Sequence, residues 1–164
     1  MATLSARGMR GIEVVRVGYG VAVVVAPRRM QRLLGLAPGG HADPTTTAVA
    51  RVLGARQVAQ GLLSGVAPSP EVLALGVWVD TLHLLSMVAL AGLDPRRTRV
   101  GLTDAAVAGT FAALGCRDLV TGSPASPPYQ GLRDELARLV LRRVPGGSAV
   151  LRLAGRRRRG SATG

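Results

Sequence analysis

Five ionisable residues lie inside otherwise apolar stretches of this sequence, where a charge needs a partner. They are Arg51, Arg56, Asp80, His83 and Asp104. Gln57 and Gln60 belong to the same group, because residues three or four apart share one face of a helix. Arginine, carboxylate, imidazole and amide groups in one place can form structural ion pairs, or they can line a path for protons or a small substrate.

Other combinations of reactive residues are too sparse to define a catalytic or metal site. Asp80 and His83 have ligand-like spacing on a helix, and His41 and Asp43 have it in a loop, but a zinc site wants three or four ligands. Asp43 stands directly before a proline and is predicted to cap a helix. A single cysteine, Cys116, excludes an internal disulfide. Without a phosphate-binding glycine loop or a nucleophile elbow, we expect no catalytic residue, metal or cofactor.

The charge of the chain comes from arginine alone. Among 164 residues there are 21 basic ones, all arginine, against 9 acidic ones, giving a formal net charge of +12. Hydrophobic residues make up 48%, which excludes a wholly disordered basic protein. Six arginines gather at two of the breaks between apolar segments, in the clusters at 28–32 and 96–99. Such a distribution is typical of membrane helices flanked by positive charge.

The breaks divide the apolar part of the chain into four predicted helices. Their approximate bounds are 12–34, 44–66, 71–93 and 100–117. A bilayer core needs about 20 apolar residues per helix, which only the third segment meets comfortably. These segments lack the charged face that a soluble bundle helix presents to water.

We therefore predict an all-α fold, a four-helix transmembrane bundle over residues 1–120. Residues 121–164 are predicted to be a linker and an Arg-rich tail that is partly disordered or amphipathic. A soluble four-helix bundle rich in alanine and leucine is the alternative. It would require a polar face that the sequence does not provide.

Counting from the predicted turns places the buried charges at comparable depths. In an antiparallel pair that turns near residues 68–69, positions whose numbers sum to about 137 lie level. Arg56 then faces Asp80, and the same counting places Asp104 within one helical turn of Arg51. We predict two ion pairs, Arg56 with Asp80 and Arg51 with Asp104, because an unpaired charge is costly in a membrane.

The basic C-terminal segment is predicted to meet the lipid surface. Its aliphatic residues recur at helical spacing among arginines, as in an interfacial helix. Four consecutive arginines, Arg156, Arg157, Arg158 and Arg159, would be attracted to anionic lipid. The alternative is a solvated end without fixed structure. We expect a multi-pass protein of the cell membrane with cytoplasmic termini, the side of the anionic leaflet.

Three short segments resemble small actinobacterial four-helix membrane proteins of unknown function, which are loosely DoxX-like. The segments are RVLGARQ from Arg51, VDTLHLLSM from Val79, and DPRR from Asp94 before an Ala-rich helix. The resemblance covers about residues 14–118. It implies a four-helix integral membrane protein and carries no activity with it.

The sequence thus predicts a non-enzymatic membrane protein whose Arg–Asp pairs are structural. It would be an accessory subunit of an envelope complex or a homo-oligomer, in contact with the bilayer. One alternative is a small transporter or redox-partner protein with an Asp/His/Arg-lined cavity. Another is a soluble basic bundle that binds nucleic acid, although few aromatic residues are present to stack on bases.

Overall fold

A computed structural model describes residues 10–33, 44–65, 68–95, 97–121 and 131–161 of the chain. Seven α-helices and no strand occur in these ranges. They are α1 (Gly11–Val25), α2 (Pro27–Leu33), α3 (Pro44–Gly65), α4 (Pro70–Leu93), α5 (Thr98–Thr121), α6 (Leu132–Arg143) and α7 (Gly147–Ser161).

Prolines set several of the helix boundaries. Pro27 begins α2 immediately after Ala26, so the predicted helix over 12–34 divides into two. Ser69 caps α4 by accepting a hydrogen bond from the backbone N–H of Val72 (3.3 Å), with Pro70 at the first helical position. At the other end, α4 stops before Asp94, which precedes a proline and is therefore disfavoured in a helical conformation. The predicted cap Asp43 and its neighbour His41 lie outside the described residues.

The first half of the fold is the antiparallel pair α1 and α3. The N–H of Arg10 donates to the carbonyl oxygen of Gly65 (3.0 Å), which joins the start of α1 to the end of α3. At the middle of the pair, Gly20 and Gly54 face each other. A Cβ on Gly20 would lie 2.7 Å from the carbonyl oxygen of Gly54, so the two backbones approach more closely than any other residue type would allow.

The second half is the antiparallel hairpin of α4 and α5. The Thr98 hydroxyl donates to the carbonyl oxygen of Ala91 (2.9 Å) and closes the short turn between the helices. Gly101 lies against the backbone of Met87, and Gly115 lies against the side chain of Val77. The two halves meet where α3 passes α4, at the level of Gln60 and Gly76.

The described part of the predicted tail forms helices α6 and α7, which pack on α4. A small apolar core joins α4, α5, α6 and α7 through five buried residues: Leu73, Ala74, Leu119, Leu141 and Ala154. Arg138 of α6 donates to Glu71 (2.7 Å), and the indole N–H of Trp78 donates to the carbonyl oxygen of Pro145 (2.9 Å). Residues 131–161 of the segment that was predicted to be partly disordered or amphipathic are therefore helical and packed on α4.

The prediction of a four-helix transmembrane bundle is wrong. Among the described helices, only α4 is long and apolar enough to cross a membrane. The break at Pro27 leaves α1 with 15 residues, which is too short. Both α3 and α5 have the length but carry too many charged and polar side chains, with two arginines and two glutamines in α3. The absence of a polar face is therefore not enough to predict a membrane span. The length and mean hydropathy of each segment must also be sufficient.

Candidate functional site

Asp80 stands at the centre of the molecule and is held by two arginines from different helices. Its side chain is 1% exposed. Its Oδ2 accepts a hydrogen bond from Nη2 of Arg16 (2.9 Å), and its Oδ1 accepts from Nη1 of Arg16 (3.2 Å) and Nη2 of Arg56 (3.1 Å). The contact with Arg16 is bidentate, the geometry in which a guanidinium binds a carboxylate most strongly. Both oxygens of Asp80 are occupied.

Arg16 is the most deeply buried cation of this group, with 4% of its side chain exposed. In addition to Asp80, its Nη1 donates to Oε1 of Gln57 (3.2 Å). Its guanidinium carbon lies 4.0 Å from the centre of the Phe111 ring, within the range of a cation–π interaction. Arg16 therefore joins α1 to α3, α4 and α5 at once.

Ion pairs continue from Arg16 toward the start of α1. Nε of Arg16 lies 3.0 Å from Oε2 of Glu13, and Nη1 of Arg10 donates to Oε1 of Glu13 (3.2 Å). The other terminal nitrogen of Arg10 pairs with the carboxylate of Asp118 on α5. We call the whole series the ionic chain; its charges alternate along the order Asp118, Arg10, Glu13, Arg16, Asp80 and Arg56.

The ionic chain ends at Arg56 with an unused donor. Nη2 of Arg56 is shared between Asp80 and the carbonyl oxygen of Val79 (3.3 Å), while its Nη1 is buried without a hydrogen-bond partner. Four residues further along α3, Gln60 donates through Nε2 to the carbonyl oxygen of Gly76 (3.3 Å), and its Oε1 is likewise buried without a partner. Arg56 and Gln60 both line a cavity of about 360 Å³ between α3, α4 and α6.

His83 and Asp104 form a separate pair. Nε2 of His83 lies 3.0 Å from Oδ2 of Asp104, and both side chains are mostly buried. They line a second, smaller cavity of about 120 Å³ between α1, α2, α3, α4 and α5, which Gln57 also lines. Of the predicted polar cluster, Arg56 and Asp80 therefore belong to the ionic chain, while Gln57, His83 and Asp104 line this second cavity.

One predicted ion pair forms and the other does not. Arg56 and Asp80 contact each other as the counting of levels predicted. Arg51 is exposed at the surface near the junction of α1 and α2, while Asp104 pairs with His83 instead. Counting residues from a turn predicts the height of a residue along the bundle. It does not predict the direction in which the side chain leaves its helix, and the side chain of Arg51 points to the surface.

Four of the six members of the ionic chain lie outside the set predicted from the sequence. Arg10, Glu13, Arg16 and Asp118 were not among the predicted residues, although Arg16 is the single charge inside the apolar run from Val14 to Ala26. Glu13, three residues earlier on the same face, was its visible local partner. The rule applied to Asp80, that a charge in an apolar helix needs a partner, would have identified both residues.

The predicted lipid-contacting arginines lie at the far end of α7. Arg156 is exposed, and the side chains of the next three arginines lie outside the described part of the structure. Their contact with anionic lipid stays a prediction. Within the described ranges, no three histidine, cysteine, aspartate or glutamate side chains come together in a way that could hold a metal ion.

Both oxygens of Asp80 accept hydrogen bonds from arginine, whereas Nη1 of Arg56 is a buried donor without a partner. Comparisons of the chain with protein-family models, curated proteins and solved structures found no match. The DoxX-like resemblance therefore stays a prediction.

Proposed function

We propose that this protein is a non-enzymatic integral membrane protein, an accessory or structural subunit, in which α4 crosses the bilayer. The observation that carries the proposal is an inverted distribution of polarity. Among the described residues, many of the large aliphatic side chains are on the outside, whereas five charged side chains are buried: Glu13, Arg16, Glu71, Asp80 and Asp134. In water this arrangement is unfavourable on both counts, because apolar surface stays hydrated and charges are desolvated.

The surface of α4 shows the inversion most clearly. Leu82, Leu85 and Val88 are 49%, 59% and 47% exposed, while Asp80 on the same helix is 1% exposed. Large contiguous apolar patches on a protein surface mark a contact with membrane or with another protein. Facing lipid, these side chains would need no further partner.

Two other kinds of helix can be as long and apolar as a membrane span, the core helix of a soluble protein and a signal sequence. The helix α4 matches neither of them. In a soluble protein, an apolar core helix is mostly buried, whereas only 22% of the most apolar window of α4 is buried. A signal sequence lies near the N-terminus, whereas α4 begins at Pro70. With 24 residues, α4 is about 36 Å long at the usual rise of 1.5 Å per residue, which exceeds the hydrocarbon core.

The ionic chain has a structural role under this proposal. Its members are Arg10, directly before α1, and residues of helices α1, α3, α4 and α5. The ionic chain therefore fixes the positions of these four helices relative to one another. In a medium of low dielectric constant, charges are tolerated when they are paired, and removal of one partner is strongly unfavourable. The transporter alternative receives no support from Asp80, which lines neither of the two cavities described above.

Membrane fractionation with an alkaline carbonate wash tests the proposal. The wild-type chain should stay in the membrane pellet and should dissolve only in detergent. A variant with Leu82, Leu85 and Val88 all replaced by glutamine should be released or fail to accumulate. A matched variant with Arg51 replaced by glutamine, also on the surface, should stay in the pellet. Release of the wild-type chain by carbonate would overturn the proposal.

A further inference from the structure

We propose that the cavity between α3, α4 and α6 binds a single-chain amphiphile of the fatty-acid class, with its carboxylate on Arg56. We call this cavity the α3–α6 groove. The proposal rests on the groove and its polar end, and it does not require that α4 cross a membrane.

The walls of the α3–α6 groove are suited to a hydrocarbon chain. Its floor is formed by α4, where Leu75, Gly76 and Val79 line it, and its far wall is formed by α6, where Leu136 and Val140 line it. The remaining lining is half apolar, with Ala59, Leu63, Val72 and Ala137, and half polar, with Arg56, Gln60, Ser64 and Arg133. Leu136 and Val140 stay substantially exposed, which leaves the groove open along one side for entry.

The polar end of the groove calls for an anion. The single carboxylate of Asp80 is shared between Arg16 and Arg56, so the ionic chain ends on a cation whose second nitrogen, Nη1, is buried without a partner. A buried donor without an acceptor is costly. Arg133 adds a second positive charge to the lining, which contains no aspartate or glutamate. A bound carboxylate would extend the alternation by one negative member.

Size and charge together select a fatty acid among amphiphiles. About 360 Å³ is at the small end of ligand cavities, which favours one hydrocarbon chain over the two of a phospholipid. The one unused nitrogen of Arg56, Nη1, can donate a charge-assisted hydrogen bond to a carboxylate oxygen. Gln60 does not bind an anion here, because its amide nitrogen already donates to the carbonyl oxygen of Gly76 and its unpaired oxygen can only accept. Arg56 is therefore the residue that selects a negatively charged ligand.

Gly76 provides a variant that narrows the groove. A Cβ at this position would meet only the side-chain nitrogen of Gln60, at an ordinary distance of 3.6 Å. Replacing a helical glycine also favours the helix. Gly76→Leu should therefore keep its helix and place its side chain in the groove, and circular dichroism and thermal unfolding check that the contact of α3 with α4 at Gln60 is kept. Gly92→Leu is the matched control, because Gly92 is on the same helix and faces open space.

Binding of the fluorescent fatty acid cis-parinaric acid to the purified full chain is the measurement, with its methyl ester as the uncharged probe. The wild-type chain and Gly92→Leu should bind the acid saturably, and Gly76→Leu should bind it about tenfold more weakly or worse. The ester should bind the wild-type chain about tenfold more weakly than the acid, the loss expected for one hydrogen bond to a charged group. Arg56→Gln, compared with the surface variant Arg51→Gln, should remove this preference.

Each contrary outcome overturns a defined part of the proposal. Equal binding by Gly76→Leu and Gly92→Leu would mean that the probe does not occupy the groove. Equal affinity for acid and ester would remove Arg56 as the anion site. Displacement of the acid by a two-chain phospholipid at lower concentration than by palmitate would overturn the ligand class. No saturable binding by the wild-type chain would mean that the groove is not a fatty-acid site. Because Gly76→Leu and the ester leave Arg56 in place, the test stands even if Arg56→Gln does not fold.

Discussion

Replacing Asp80 by asparagine should destabilise the protein more than any other single loss of charge. Asparagine keeps the shape of the side chain but removes the negative charge that Arg16 and Arg56 share. Arg16, which is 4% exposed, would keep only Glu13 as a negative partner. Breaking a buried ion pair in this way costs about 3–5 kcal/mol. For a chain of this length, that corresponds to a fall in Tm of about 6–20 °C.

Asp104→Asn is the matched control for this prediction. Asp104 also pairs with a basic residue, but its partner is His83, and both side chains are less completely buried than Asp80. We expect a loss of about 1 kcal/mol, the usual net contribution of a single hydrogen bond. Helical content followed by circular dichroism during thermal unfolding measures both variants in the same detergent or lipid.

A double-mutant cycle separates the ion pair from general damage to the core. If Arg16 and Asp80 act together, the variant that carries both Arg16→Gln and Asp80→Asn should lose clearly less stability than the sum of the two single variants. An Asp80→Asn variant that unfolds at the same temperature as Asp104→Asn would refute the central position of Asp80. If the loss of stability in the double variant equals the sum of the two single losses, Arg16 and Asp80 do not interact, and the central position of Asp80 is refuted as well.

Three further predictions concern the packing around the ionic chain. Gly54→Ala should destabilise the pair of α1 and α3, because its Cβ would lie 2.8 Å from the carbonyl oxygen of Gly20. Gly18→Ala, where a Cβ would meet nothing within 4 Å, should instead raise Tm, and thermal unfolding of the two variants measures both effects. Glu71→Gln removes the charged acceptor of an arginine on α6, so amide hydrogen exchange should become faster in α6 and stay unchanged in α1. Phe111→Leu removes the ring face below the buried guanidinium and should cost about 1–2 kcal/mol, measured by the same unfolding assay; no change in stability would mean that the ring contributes only its volume.

Local signals in the sequence predict much of the helical framework. The break before Pro70, the stop before Asp94 and the start at Pro44 all follow from what proline permits in and beside a helix. The short connections on either side of α4 also made it possible to predict the contact of Arg56 with Asp80, because levels can be counted across a short turn.

Long-range placement is where the prediction from sequence failed. Arg16 reaches Asp80 across 64 positions in the chain, and the connection between α1 and α3 is too long to fix their relative height. The docking of α6 depends on contacts such as Arg138 with Glu71, which no local pattern reveals. For Arg51, the sequence predicts the height of the residue along the bundle but not the direction of its side chain, which is exposed.

Reactivity of a cysteine placed at Leu85 tests the inverted polarity most directly. In a Cys116→Ala background, Leu85→Cys has the only thiol, at a position that is 59% exposed on α4. Maleimides react with the thiolate, which forms in water and not in hydrocarbon. N-ethylmaleimide should label this cysteine slowly in membranes and quickly after denaturation, whereas Arg142→Cys on the exposed face of α6 should be labelled quickly in both. Equally rapid labelling of both cysteines in the native protein would show that α4 faces water and does not cross a membrane.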